Sequence, residues 1–227
     1  MKNLIEIAMS ETVTLTASDG HQFSAYRAGD GLGLVVVQEI FGVNSHIRNV
    51  VDRFAEAGFA AIAPALFDRI GAGHELGYSS DDVAAGRELR GQVTNADALK
   101  DITAVGNFLA GEDRKVGIVG YCWGGSLAWH TATQLTGFDA AVGYYGGEIP
   151  KSADAKPTIP TMLHFGEKDT GIPMKGVRDL EAAHPDIPIH IYDAGHGFSC
   201  DERASFDAPS HKAALDRTLA FFCQHLA

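Results

Sequence analysis

Cys122 stands in Gly120-Tyr121-Cys122-Trp123-Gly124, between the apolar run Val116-Gly117-Ile118-Val119 and the helix-like stretch Gly125-Ser126-Leu127-Ala128-Trp129-His130. A sharp strand-to-helix turn of this kind strains the backbone of its central residue and lifts that side chain above the sheet. Glycines two positions to either side let strand and helix approach. A thiol at a helix start is shifted toward thiolate, the reactive form of cysteine. The pattern suits nucleophilic attack by sulfur, although a buried packing cysteine among glycines satisfies the same five residues.

Two later segments separate these readings. Thr161-Met162-Leu163-His164-Phe165 reads as a strand running into Gly166-Glu167-Lys168-Asp169, and Ile187 to Tyr192 as another running into Ala194-Gly195-His196-Gly197. Alone, Asp169 is an ordinary turn residue and His196 an ordinary loop histidine. Together they follow consecutive strands at the carboxyl edge, where open α/β sheets bind ligands. They also complete the chain order nucleophile, acid, base that characterises the α/β-hydrolase fold. A fourth element is Leu34-Val35-Val36-Val37, an apolar strand ending in Gln38-Glu39-Ile40-Phe41-Gly42. Glu39 reads either as a cap or arginine partner, or as a carboxylate near the nucleophile, because this early loop supplies an amide to the oxyanion hole. The backbone N–H groups of Ile40 and Trp123 are the expected donors there.

The elements that must position these groups follow from periodicity. Thr12 to Thr16 and Gln22 to Tyr26 flank an Asp19-Gly20 turn and predict an N-terminal hairpin. Strands are expected at 34–38, 60–64, 116–119, 140–145, 160–165 and 188–192. They alternate with helices near 45–57, 82–90, 95–110, 124–135, 173–183 and 208–225. The internal strands are continuous apolar runs, as a parallel sheet covered on both faces requires. No repeat or linker interrupts them, so residues 1–227 read as a single α/β-hydrolase domain. Glu148 to Pro160 is short enough for a loop within it, and Phe67 to Ser80 reads as a loop forming one pocket wall.

With these elements in place the chain resembles the dienelactone hydrolases (carboxymethylenebutenolidases). The resemblance is carried by Gln38-Glu39-Ile40-Phe41-Gly42-Val43-Asn44, Gly120-Tyr121-Cys122-Trp123-Gly124-Gly125 and Val142-Gly143-Tyr144-Tyr145-Gly146, with Asp169 and His196 at the acid and base positions. It runs from about the Asp19-Gly20-His21 turn to the C-terminal helix. It implies a cysteine hydrolase of small cyclic enol esters, with a thioester on Cys122, His196 activating water, Asp169 orienting His196 and Glu39 holding or deprotonating the resting thiol. It implies no cofactor and no metal. Family members can place an arginine a few residues past the histidine. Here Cys200 follows Phe198-Ser199, and the nearest arginine is Arg203. An anionic substrate would need a cation, for which Arg203, Arg87 and Arg90 are candidates. A solvated helix face is the alternative for Arg87 and Arg90. Tyr144 and Tyr145 are candidate pocket walls or simple packing residues. Two other readings stay open: an esterase or thioesterase of broader specificity on the same machinery, and a non-enzymatic redox-sensing or ligand-binding domain that uses Cys122 as an oxidisable thiol.

Composition limits the partners. A net charge of −11 argues against a nucleic-acid surface, which needs clustered lysine and arginine. Three widely spaced cysteines form neither a disulfide framework nor a zinc signature, which points to a reducing cytoplasm. Met1 to Ile7 carries charge and lacks the apolar length of a signal core, and no stretch approaches a membrane span. The expectation is a cytoplasmic protein, monomeric or weakly homo-oligomeric, acting on a small lactone or ester.

Overall fold

The computed structural model describes residues 10–111 and 114–227; the Met1 to Ile7 reading lies outside them. The expected hairpin is present as β1 (Glu11–Thr16) and β2 (Gln22–Ala28), joined through Gly20 at a φ of 84° that favours glycine. Strands and helices then alternate as β3 (Leu32–Val37), α1 (Ser45–Glu56), β4 (Phe59–Pro64), α2 (Ser80–Gln92) and α3 (Asn95–Ala110). They continue as β5 (Val116–Tyr121), α4 (Trp123–Gln134), β6 (Ala140–Tyr144), β7 (Thr161–Gly166), α5 (Met174–Ala183), β8 (Ile189–Tyr192) and α6 (Ala208–Leu226). All six expected helices and all six expected internal strands are present. The periodicity missed two single 3-10 turns, Leu66–Arg69 and Ile149–Ser152, which are too short to leave a hydrophobic repeat.

The strand order is β1-β2-β4-β3-β5-β6-β7-β8, with β3 to β8 mutually parallel and the N-terminal hairpin antiparallel at one edge. This is an α/β-hydrolase fold. Alternation along β3 shows how the sheet feeds two cores: Leu34 and Val36 face α1 and α6, whereas Val35 and Val37 face α3 and α4. The chain leaves β3 for β4 on one side and returns for β5 on the other. The carboxyl ends of β3 and β5 therefore flank the topological switch point, where such sheets leave a crevice. Among the described residues no helix is long and apolar enough to cross a membrane.

One polar tie crosses the apolar layer beside this crevice. Arg69, in the first 3-10 turn, grips the fully buried carboxylate of Asp101 on α3 with two bonds of 2.8 and 2.7 Å. Burial pushes the Asp101 carboxyl up, and the guanidinium draws it back. Removing one partner of a buried pair strands the other charge, a loss of about 3–5 kcal/mol. We expect Arg69→Gln to lower stability by that amount in urea unfolding; a loss below about 1 kcal/mol would show that Asp101 does not depend on this cation.

Candidate active site

Cys122 caps the N-terminus of α4 with φ 56° and ψ −115°, in the left-handed half of backbone space that a side-chain-bearing residue rarely occupies. Its neighbours make the strain unavoidable. A methyl on Gly120 would lie 1.9 Å from the Gly124 carbonyl oxygen, and one on Gly124 would lie 2.4 Å from that of Val37. Backbone therefore packs directly on backbone. The Cys122 N–H donates to Tyr144 O at 3.0 Å, and the Gly124 N–H donates to Gln38 O at 3.1 Å. These bonds fasten the elbow to the ends of β6 and β3. Gln38 steadies the early loop further, accepting from Leu66 N–H at 3.1 Å and donating to Glu39 O at 3.2 Å. The N–H of Trp123, in the first turn of α4, has no intrahelical acceptor by position.

The acid and base meet as expected. Asp169, 5% exposed, accepts Gly171 N–H on Oδ1 at 2.8 Å and places Oδ2 2.6 Å from His196 Nδ1. Gly166 permits this approach, since a side chain there would strike Ala194 O at 2.4 Å. Burial pulls the imidazole toward neutrality, but the bond it donates to Asp169 and the influence of the Cys122 sulfur, with the charges of both, push His196 up to about 10. Cys122 and His196 are thus close enough to interact electrically.

Behind the thiol lies a second charged pair. Glu39, 1% exposed, accepts Arg203 Nη1 on Oε1 at 3.2 Å. Burial opposes the Arg203 charge, but Glu39, with Tyr145, Cys122 and Cys200 adding to it, holds the guanidinium firmly ionised. The guanidinium also lies 5.7 Å from the Phe41 ring centre and 5.6 Å from that of Tyr78. The loop bearing Arg203 is tied to α1 through Asp201, which contacts His46 Nδ1 at 3.0 Å and Arg53 at 3.3 Å. Opposite it, the loop through Leu76 and Tyr78 is pinned by Asn44, which donates to Leu76 O at 2.9 Å and Tyr78 Oη at 3.1 Å.

The remaining candidates divide. Tyr145 is strained at φ 38°, and its ring stands 5.1 Å from that of His196, so it borders the site. Tyr144 does not. It is wholly buried in the same core as Tyr145, but its hydroxyl is spent inside that core, 2.7 Å from the Thr218 hydroxyl on α6. Arg90 is likewise engaged: it donates to Val93 O, Asn95 Oδ1 and Glu148 Oε1 and lies 4.5 Å over the Trp123 ring. This network, with Asn95 accepting the Trp123 indole N–H at 3.1 Å, braces the start of α4, and Arg90 offers no free cation there. Arg87 is exposed, one residue from Gly86, whose packing against Ile40 O places α2 beside the early loop. Asn95, Glu148, Tyr78, His46 and Cys200 escaped the reading of the sequence, since none belongs to a local pattern.

A strained elbow and an Asp-paired histidine at the carboxyl edge of this sheet mark the class: an α/β-hydrolase-fold enzyme that hydrolyses carboxylic ester bonds. The profile of the dienelactone hydrolase family matches residues 21–226. A protein of Synechocystis sp. named "putative carboxymethylenebutenolidase" is 36% identical over 83% of this chain and 84% of its own. The carboxymethylenebutenolidase of Pseudomonas sp. (strain P51) is 32% identical over 93% of this chain and 94% of its own. The crystal structure of a "putative dienelactone hydrolase" from Klebsiella pneumoniae superposes with a TM-score of 0.80, at 31% identity, over 96% of this chain and all of the other. The chain belongs to the dienelactone hydrolase family.

The raised imidazole has a consequence for stability. A histidine at about 10 when folded, against an ordinary 6.5, contributes stability in full below about pH 6.5 and loses it as the pH rises through about 10. We expect the stability gap between the wild type and His196→Gln in urea unfolding to narrow steadily across that window. A gap independent of pH would mean that His196 holds no extra proton in the fold.

Proposed function

We propose that the protein opens small unsaturated enol-lactones through a Cys122–His196–Asp169 triad and a thioester acyl-enzyme. The observation that carries this reading is the 2.6 Å Asp169–His196 bond, with the strained Cys122 turn near enough to influence the same imidazole. Sulfur adds to the lactone carbonyl, and the resulting oxyanion accepts the N–H groups of Ile40 and Trp123. Collapse of the adduct breaks the ring C–O bond and expels an enolate, which His196 protonates. An enolate is a stabilised leaving group and needs less help than an alkoxide or an amide nitrogen, so lactones of this type suit a thiol and peptide bonds do not. Neutral His196 then takes a proton from water as the water attacks the thioester, and the sulfur departs. Asp169 keeps the ring oriented and stabilises its charged form in both halves.

Glu39 and Arg203 supply the link to substrate. A carboxylate on the lactone competes with Glu39 for the guanidinium, and a released Glu39 takes up the thiol proton. Tyr145 and Arg87 complete the pocket wall. On this reading residues 1–227 act as one catalytic unit on a small molecule, and three free thiols suit a reducing cytoplasm. A second reading rests on the same pair: Glu39 already neutralises Arg203, which favours uncharged esters and a broader specificity.

We expect Cys122→Ala to abolish turnover with the fold intact, and Cys122→Ser to hydrolyse far more slowly, because its hydroxyl proton is much harder to remove. Asp169→Asn should lower kcat on the order of 10⁴-fold with little change in KM. Near-normal rates of acyl-enzyme formation and breakdown in Asp169→Asn would displace His196 as the base. For Arg203→Gln the informative quantity is the ratio of kcat/KM for an acidic over a neutral lactone, since unpairing Glu39 affects both substrates alike. A charged hydrogen bond worth roughly 1.5–3 kcal/mol makes the expected fall in that ratio about ten- to a hundredfold. An unchanged ratio would establish the broader esterase reading.

A further inference from the structure

Glu39, His46 and Cys200, all buried, bring one donor atom each to within 4.8 Å of one another. They come from the loop after β3, the first turn of α1 and the loop after His196, more than 150 residues apart for two of the pairs. The polar atoms left over define what the space between them lacks. Glu39 gives Oε1 to Arg203, while Oε2 has no hydrogen-bond partner among the described residues. His46 directs Nδ1 at the Asp201 carboxylate, which leaves Nε2 as the nitrogen facing the cluster; it too has no partner among the described residues. Two polar atoms sealed from solvent are left unmet, and each unmet group is costly. A cation would satisfy both.

The chemistry of the three donors selects which cation. Imidazole nitrogen with a thiolate and one carboxylate oxygen is a ligand set for zinc, whereas calcium and magnesium favour all-oxygen shells. Zinc bonds of about 2.0–2.3 Å put tetrahedral ligands about 3–4 Å apart, so the cluster needs only a small contraction. Outer contacts of the kind that tune such sites already exist. Asp201 orients the imidazole, and Arg203 occupies the other oxygen of Glu39.

We infer that Glu39, His46 and Cys200 form a zinc-binding site behind the catalytic thiol. As the metal–sulfur bond forms, the Cys200 thiol releases its proton to solvent, and nothing is oxidised or reduced. Binding stands independently of the mechanism proposed above. Its effect on turnover rests on that mechanism: a metal holding Glu39 withdraws the carboxylate from the thiol, so zinc inhibits, and a chelator restores the rate.

The test uses the full chain, stripped of metal, titrated with Zn²⁺ by calorimetry and with Co²⁺ by absorption. The expected result is one ion per chain, with a thiolate-to-cobalt charge-transfer band in the near ultraviolet. The band should persist in Cys122→Ala and vanish in Cys200→Ala. His46 is buried, and His46→Gln may be read only if folded by circular dichroism, so the half-exposed Asp201→Asn provides a second variant, with affinity about ten- to a hundredfold weaker. No band in the wild type, or a band lost in Cys122→Ala and retained in Cys200→Ala, overturns the site. Stoichiometric binding through Cys200 with unaltered hydrolysis upholds the site and removes Glu39 from the mechanism.

Discussion

The contact between β5 and α4, backbone against backbone with nothing between, is the constraint on which the rest of the site depends. Glycines at 120 and 124 bring carbonyl groups where side chains would otherwise stand. Cys122 absorbs the resulting turn in a conformation that an ordinary residue adopts only when its surroundings compel it. The compulsion comes from two hydrogen bonds, to Tyr144 O and from Gly124 to Gln38 O, that tie the turn to the neighbouring strands. The same bonds set the early loop against the start of α4, so nucleophile and candidate oxyanion donors are positioned by one local arrangement. The polar network of Arg90, Asn95 and Glu148 around Trp123 reinforces it from the helix side.

Charge in the site is organised as two couples, each with its carboxylate almost wholly shielded from solvent. Asp169 and His196 share a short bond at the sheet edge, with the imidazole near Cys122. Glu39 and Arg203 form the second couple. An ion pair removed from water gains stability only when its geometry is good and its remaining atoms are satisfied. Oε2 of Glu39 has no hydrogen-bond partner among the described residues. The Glu39–Arg203 couple is therefore the more easily rearranged of the two, and an anion, a proton or a metal ion each offers a way to do so.

What the sequence disclosed follows from the range of the forces involved. Each internal strand is an apolar run because both its faces are covered, and helical stretches alternate with them, so the succession of elements was legible from neighbouring residues. Cys122, Asp169 and His196 were legible too, since each directly follows a strand and the sheet brings those ends to one edge. Tyr144 was harder: its hydroxyl is held by Thr218 on α6, a partner far along the chain. Arg90, Arg203 and the Glu39–His46–Cys200 cluster take their roles from partners far along the chain. Residue type could identify Arg203 as a cation near the histidine, but only the folded loop shows that Glu39 already holds it. The 3-10 turn that carries Arg69 to Asp101 is a single turn, with no period to detect.

The depth of Glu39 bears on how a reaction here would end. Ring opening of a lactone converts a carbonyl into a free carboxylate, so on the proposed chemistry the product leaves with one more negative charge than the substrate brought. That charge appears beside a shielded carboxylate, in a protein of net charge −11, with a single guanidinium shared between them. On that chemistry, the return of Arg203 to Glu39 would leave the product without this counterion, and repulsion from the buried acid would favour its release.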